Sequence, residues 1–381
     1  MPETVQKKDS PLSKTTKNVV FLMLSGGKDS GVAARLLKDE GKEVIGFFIK
    51  GWAPTGLKCL EPPEMRDAAE IARVVGIEFF PILNWSEHFY NAVFDPMLSG
   101  YLSGITPNPD TLCNREIKFG LFAKFAFGRG ADYIASGHYV RKNDNPLQLL
   151  VARDERKDQS YFLYDLKTDI LERSLFPIGN YVKSEEVIPM ARSFGLPQRV
   201  IEKRPTRDIC FLLKSEEDAT DGGRIGMEKL LRLEGEKRGI KFSSGPVIHE
   251  KTGKVVGEHN GVSLFAVTIG QRHGLGLAGG KLLYVSRKDI LKNAFYVNSE
   301  KPSSPEVVVK NLNWISGAPD FGKKLSAKIR TPQKAQSCRV EKIGEDEIRV
   351  KFDTPQNSVA PGQACVLYDG EVVLGGGIIV S

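Results

Sequence analysis

No stretch of the chain strings together the ~20 apolar residues that a bilayer-crossing helix needs, so no membrane span is expected. The opening Met1 to Lys17 has no apolar centre of the secretory kind. It also lacks arginine and carries two acidic residues, which argues against an organellar transit peptide. A disordered tail and a cytoplasmic protein are the expectations. Cysteine is scarce: the five residues Cys59, Cys113, Cys210, Cys338 and Cys365 form an odd, widely spaced set without a CxxC pair. A chain of 381 residues needs no disulfide staples, so reduced thiols are expected. The five histidines are scattered, which offers no pattern for structural zinc, and no metal ligand is assigned. Internal repeats and low-complexity blocks are missing as well.

What is present is an ordinary globular composition, 41% hydrophobic and 27% charged, on a chain longer than one core usually serves. Two or three domains follow. The net charge is +7, and Lys310 to Lys342 alone holds eight basic residues against two acidic ones. A solvated lysine-rich face explains such a stretch as readily as a polyanionic partner does; if there is a partner, nucleic acid suits it before membrane.

The first half alternates apolar runs with amphipathic ones. Val19–Leu24, Glu43–Ile49, Ile77–Leu83 and Ala131–Ser136 read as strands, and Gly31–Glu40, Glu64–Val75, Glu87–Tyr101 and Glu116–Phe127 as helices. Short continuous apolar strands between helices predict an α/β fold with a doubly wound parallel sheet, whose ligands bind beyond the strands' carboxyl ends. LSGGKDSG, Lys50-Gly-Trp52 and Ser136-Gly-His138 all sit at such ends. Helical patterning continues to about Gly195, and Ser215–Arg224 reads as a polar linker. Turn-rich short strands follow, and an all-β unit closes the chain from Pro305.

In Leu24-Ser-Gly-Gly-Lys-Asp-Ser30 two adjacent glycines let the backbone turn while amide N–H groups converge on an anion, and the helix start adds its dipole. The spacing is neither GxxxxGK[ST] nor GxGxxG. It matches the pyrophosphate loop of ATP pyrophosphatases, enzymes that activate an oxygen by adenylation. Farther along, Thr106-Pro-Asn-Pro-Asp-Thr-Leu-Cys113 is a proline-stiffened loop leading into a helix. A cysteine near a helix amino end and beside Arg115 has its thiolate favoured, so Cys113 is a candidate nucleophile and Asp110 a candidate acid or base. A small buried apolar thiol is the plainer alternative.

TPNPDTLCNREIKFG, SGHYVRK, Lys157-Asp-Gln-Ser-Tyr-Phe-Leu163, Asp208-Ile-Cys-Phe211, Gly257-Glu-His-Asn-Gly261, Thr268-Ile-Gly-Gln-Arg-His-Gly-Leu-Gly276 and Pro361-Gly-Gln363 with Leu374-Gly-Gly-Gly-Ile378 occur in this order. In these stretches the chain resembles the tRNA-specific 2-thiouridylases of the MnmA/TrmU family. The resemblance implies a disordered tail (1–17), a catalytic pyrophosphatase-loop domain (18–213), a small mainly β central domain (214–300) and a C-terminal β-barrel (301–381). It implies an enzyme that adenylates the C2 oxygen of the wobble uridine in a tRNA anticodon and replaces it with sulfur, with ATP and Mg²⁺ as cofactors. Leu24, Ser25, Gly26, Gly27, Lys28, Asp29 and Ser30 would hold ATP, with Ile49 and Gly137 lining its pocket. Asn108, Pro109 and Asp110 match target-base contacts, and Lys157, Asp158, Gln159 and Arg330 match tRNA contacts. Cys210 would receive sulfur as a persulfide from a donor protein, with Cys113 assisting its release. An iron–sulfur cluster on Asp110, Cys113 and Cys210 is the alternative mechanism.

The chain departs from the family at Lys50-Gly-Trp52, where Lys-Asn-Trp is usual, and at Arg204-Pro-Thr-Arg207, which places positive charge beside Cys210. Thr331 stands where tyrosine is common. An ATP-dependent small-molecule ligase and a non-catalytic RNA-binding module are the competing readings. The first has no glutaminase domain to support it, and the second leaves the loop and both cysteines unexplained.

Overall fold

The computed structural model describes residues 18–52, 63–82, 84–203, 224–275, 277 and 282–381. Four apolar runs form β1 (Val19–Met23), β2 (Glu43–Ile49), β3 (Glu78–Ile82) and β4 (Tyr133–Ala135). A hairpin of β5 (Val140–Asp144) and β6 (Leu147–Val151) follows, then the short β7 (Ser174–Leu175). The sheet runs β3-β2-β1-β4-β7 with every pairing parallel. Val20 and Leu22 face one layer, where they meet Ala33 and Leu37 of helix Lys28–Asp39 and Ile71 of helix Pro63–Val75. Phe21 and Met23 face the other, against Phe122 and Ala126. Both faces are covered, as the continuous apolar strands required. Strand order reverses between β1 and β4, which places a crevice at their carboxyl ends.

The central unit packs helix Arg224–Lys237 near a four-stranded sheet of β8 (Gly245–His249), β9 (Val255–His259), β10 (Tyr284–Asp289) and β11 (Ala294–Asn298), in the order β10-β11-β8-β9. The last unit has β12 (Ser303–Trp314), β13 (Leu325–Lys328), β14 (Gln336–Gly344), β15 (Glu347–Asn357), β16 (Ala364–Asp369) and β17 (Val372–Ile379). They run antiparallel as β12-β15-β14-β13-β16-β17, and β12–β17 pairing closes the barrel. Gly375, Gly376 and Gly377 make that closure possible. A Cβ on them would lie 2.0 Å from Asn313 O, 2.1 Å from Cys365 O and 2.4 Å from Lys310 O.

Three features correct the sequence reading. Helical patterning does not run unbroken to Gly195: the β5–β6 hairpin interrupts it, and Val-Arg-Lys-Asn-Asp of β5 is too polar to announce a strand. Helix Arg224–Lys237 stands where only linker and short strands were expected. The helix expected from Glu116 begins at Pro109, because Asn108 caps it and Pro109 suits its first position.

The barrel is not a separate bead. β6 pairs antiparallel with β17, through Leu150 opposite Val372 and Leu149 opposite Val373. Val366, Tyr368 and Val373 of the barrel join Phe122, Leu149 and Tyr161 in a single apolar core. Cys338 and Cys365 are fully buried in the barrel, where the apolar setting pushes the Cys338 thiol up to about 12.

Candidate functional site

β1 ends at Met23, and the chain turns at once. Gly26 takes φ +74°, a left-handed conformation that suits glycine, and its missing side chain matters equally, since a Cβ would stand 2.2 Å from Glu64 O. Gly27 is extended at the amino end of helix Lys28–Asp39. Ser30 Oγ donates to Gly27 O at 3.0 Å and accepts from Ser25 N at 3.2 Å, tying the turn into a ring around the first helical N–H groups. Those groups lack intrahelical acceptors and carry the positive end of the dipole.

Three lysines gather here, two of them unassigned by sequence reasoning. Lys28, nine-tenths buried, donates to Lys203 O at 2.9 Å. Lys183 reaches Asp29 Oδ2 at 2.5 Å, and Lys203 contacts Glu64 and Asp67. Burial, reinforced by the neighbouring Lys183 ammonium, holds Lys28 below the usual lysine range. A basic cluster that repels itself around a glycine turn favours an anion. Asp29, the loop's own carboxylate, is engaged on both oxygens, since Tyr139 donates to Oδ1 at 2.9 Å. Lys183 and Tyr139 come from distant segments; no local signal marks Lys183, and Tyr139 is part of SGHYVRK without a role of its own.

Ser136-Gly137-His138 leaves β4 beside this loop. A Cβ on Gly137 would stand 2.8 Å from Ser30 N, so this glycine lets the β4 end and the loop touch. Ile49 closes β2, half-buried, on the other side of β1. His138 is buried, 2.8 Å from Ser136 Oγ, and burial drives its imidazole well below the ordinary range, so it is neutral. Gln159 braces this segment: its Oε1 accepts from Tyr139 N at 2.9 Å and its own N donates to Tyr139 O at 3.0 Å.

The proline-stiffened loop opens the helix whose Phe119 ring lies 5.8 Å from that of His138. Asn108 Oδ1 accepts from Asp110 N at 3.1 Å and Thr111 N at 3.4 Å, a side-chain cap at Pro109–Leu112. The helix continues through Cys113–Leu121, whose turns are widened to i→i+5, and ends at Phe127. Cys113 is buried, one turn beyond the capped end, in the same apolar cluster as Ile117, Met97 and Leu231. Burial raises the Asp110 carboxyl, with the Lys118 ammonium opposing the rise. A second surface clamps this loop. Thr106 N donates to Pro361 O at 2.8 Å, Gln363 Nε2 donates to Thr106 O at 2.8 Å, and a Cβ on Gly362 would stand 2.9 Å from Thr106 O.

The remaining positions divide. Lys157 is exposed. The Asp158 carboxylate is only 4% exposed, accepting from Ser160 Oγ at 2.8 Å and from Lys328 Nζ of the barrel at 3.0 Å. Arg330 donates to Ile269 O at 2.8 Å and Ser358 O at 2.5 Å, linking barrel to central unit. Of the basic stretch, Lys324 meets Asp353 at 2.7 Å and Lys310 meets Glu347 at 3.5 Å, while Lys323, Lys334 and Arg339 are exposed. Cys210, Cys59, the Ser215–Gly223 part of the linker and Arg204–Arg207 lie outside the described residues. Among the described residues no three histidine, cysteine or acidic side chains are grouped to hold a metal ion, and no helix is long and apolar enough to cross a membrane.

Three family models match in chain order: a tRNA methyl transferase HUP domain over residues 17–214, a tRNA methyl transferase PRC-barrel domain over 237–299, and an aminomethyltransferase beta-barrel domain over 304–379. Curated relatives are similar along nearly the whole chain. The tRNA-specific 2-thiouridylase MnmA of Bordetella pertussis is 38% identical, over 97% of this chain and 100% of that one. The MnmA proteins of Geotalea uraniireducens (38%, 94% of each chain) and Nitrosomonas eutropha (39%, 96% and 99%) are alike in extent. Among solved structures the chain is similar to an NMN synthetase from Francisella tularensis, at 17% identity and a TM-score of 0.35 over 60% of this chain and 80% of that one.

Proposed function

Since the chain belongs to the tRNA-specific 2-thiouridylase family, we propose that it uses ATP to replace the C2 oxygen of the wobble uridine of a tRNA anticodon with sulfur. One observation carries the reading: the lysine-ringed glycine turn touches the end of β4 at Gly137, and the next residue, His138, meets Phe119 of the helix that Asn108 caps. A methyl transferase name attaches to the matched domains, yet an anion loop built for a triphosphate and a buried thiol beside a carboxyl suit adenylation and sulfur transfer better.

In this reading residues Leu24 to Ser30 hold the phosphates of ATP. Mg²⁺ would arrive with the nucleotide and neutralise its charge, and it is assigned no protein ligand, because Tyr139 and Lys183 occupy Asp29. Uridine O2 attacks the α-phosphorus, the bond to the β-phosphate oxygen breaks, and pyrophosphate leaves. Asp110, kept basic by burial, takes the N3 proton that the uracil gives up. A persulfide on Cys210 then attacks C2 and AMP departs. Thiolate Cys113 breaks the S–S bond, leaving sulfur on the base and a Cys113–Cys210 disulfide that cellular thiols reduce. Release of hydrosulfide by Cys113 before attack is the variant route. Both need Cα atoms within ~7 Å.

A stacked anticodon base cannot enter such a site, so it is flipped out, while exposed lysines of the barrel meet phosphates. The partners proposed are tRNA and a persulfide-bearing donor protein, in the cytoplasm. An iron–sulfur cluster would need Asp110, Cys113 and Cys210 together, and no step is derived through one. Single-turnover thiolation of transcribed tRNA tests the proposal with the wild type, Cys113→Ser and Cys210→Ser. Wild type should give thiolated tRNA, AMP and pyrophosphate; Cys210→Ser should fail with a persulfide donor and recover with free sulfide. Full activity of both variants removes the relay, and iron with visible absorbance in anaerobically purified protein replaces it with a cluster.

A further inference from the structure

Helix Pro109–Phe127 carries a polar stripe at Asp110, Asn114 and Lys118, spaced four residues apart. Asn114 is buried, donates through Nδ2 to Asp110 O at 3.0 Å, and keeps its Oδ1 without a hydrogen-bond partner. Lys118 is half-buried and makes no hydrogen bond or ion pair among the described residues. The next residue, Phe119, has its ring 5.8 Å from that of His138, which adjoins the glycine packed on Ser30. The Lys118 ammonium lies near enough to lower both the Asp110 carboxyl and the His138 imidazole, so it neighbours the target-base loop as well as the β4 end beside the phosphate turn.

The other cations of the site are committed elsewhere. Lys28 and Lys203 are tied to each other's segment and to the acids of helix Pro63–Val75, Lys183 to Asp29, and Arg115 to Asp165 and Glu116. Lys118, by contrast, has no hydrogen-bond or ion-pair partner among the described residues and neighbours both the target-base loop and the β4 end. The stripe's neighbours are a neutral imidazole and the Asp110 carboxylate, which gives up its charge on taking the N3 proton and leaves only the substrate's oxygens to balance the Lys118 ammonium.

We infer that Lys118 is a catalytic residue of the adenylation step, its ammonium contacting the phosphoryl group in transfer between ATP and uridine O2. The inference rests on the adenylation chemistry proposed above. As the O2–P bond forms and the bond to pyrophosphate breaks, negative charge gathers on the equatorial oxygens, and a cation beside them lowers that barrier without itself gaining or losing a proton.

The experiment is rapid-quench measurement of pyrophosphate release from ATP and transcribed tRNA under single-turnover conditions, with wild type, Lys118→Met, Lys118→Gln and Lys118→Arg. Removing such a cation is expected to slow the step about 100-fold in the Met and Gln variants. Arg should restore about tenfold, and tRNA affinity, ATP affinity and the thermal midpoint should stay at wild-type values. Met and Gln variants within about threefold of wild type overturn the inference, as does a rate loss matched by an equal loss of tRNA affinity or of folding in all three variants. Wild type that releases no pyrophosphate with tRNA refutes instead the adenylation reading on which this one stands.

Discussion

Gln363, in the barrel, donates its side-chain amide to the carbonyl of Thr106 at 2.8 Å, across 257 positions of sequence. The loop proposed to receive the target base is therefore shaped from outside its own domain. Gly362, beside it, sits at φ +94° with no room for a Cβ against the Thr106 backbone.

Gln363→Ala should lower single-turnover thiolation about tenfold, the loss of one or two hydrogen bonds that position the loop, with ATP affinity unchanged. Gly362→Ala adds backbone strain and contact, and should also cost about 2 kcal/mol of stability in denaturant unfolding. ATP affinity falling with thiolation would show that the barrel shapes the nucleotide site too.

Lys183→Met should weaken ATP binding about tenfold by calorimetry, because the Asp29 carboxylate left without its ammonium would repel the phosphates, and should leave tRNA binding in place. Asp29 would then keep only Tyr139 as partner. Lys203→Met should have a smaller effect, because its ammonium faces Glu64 and Asp67.

Lys288 is a pH probe of the central unit. Burial lowers it to about 8, while its ammonium donates to Val267 O at 2.9 Å and Phe265 O at 3.4 Å. The folded state thus binds fewer protons than the unfolded state between about pH 8 and the unperturbed value near 10.5. Stability should rise with pH across that window, by up to about 3 kcal/mol. The difference between wild type and Lys288→Met in urea midpoints at pH 7.5 and pH 10 reads it, and a flat difference contradicts the assignment.

Lys323 and Lys324 should part company in a salt titration of tRNA binding. Lys324 is already matched by Asp353, whereas Lys323 is exposed. Lys323→Glu should weaken binding and reduce the slope of log affinity against log salt by about 1, with Lys324→Glu doing less. Unchanged affinity in the double variant takes this part of the barrel off the interface.

Much of the catalytic sheet was readable in advance because its signals are local. Val19–Met23 and Glu43–Ile49 are continuous apolar runs, and Gly26–Gly27 marks the turn between strand and helix. The unread parts are set by distant contacts. β14 carries Arg339, Glu341 and Lys342 and reads as surface until Cys338 and Val340 are seen pointing inward. Lys183 has no motif of its own, and Tyr139 sits in SGHYVRK without an assigned role: both matter because the fold brings them to Asp29. Asp158 and Arg330 matched tRNA contacts by resemblance, and the structure finds both engaged in holding units of the chain together.

The ladder between β6 and β17 fixes how the molecule works as a tool. A chain cut before residue 301 would expose Leu149 to water along an open strand edge, a template for self-association. Catalytic half and terminal barrel should therefore melt in one transition, since the strand ladder and the apolar core run through both. Any RNA that bridges the two must bring its own curvature to the fit.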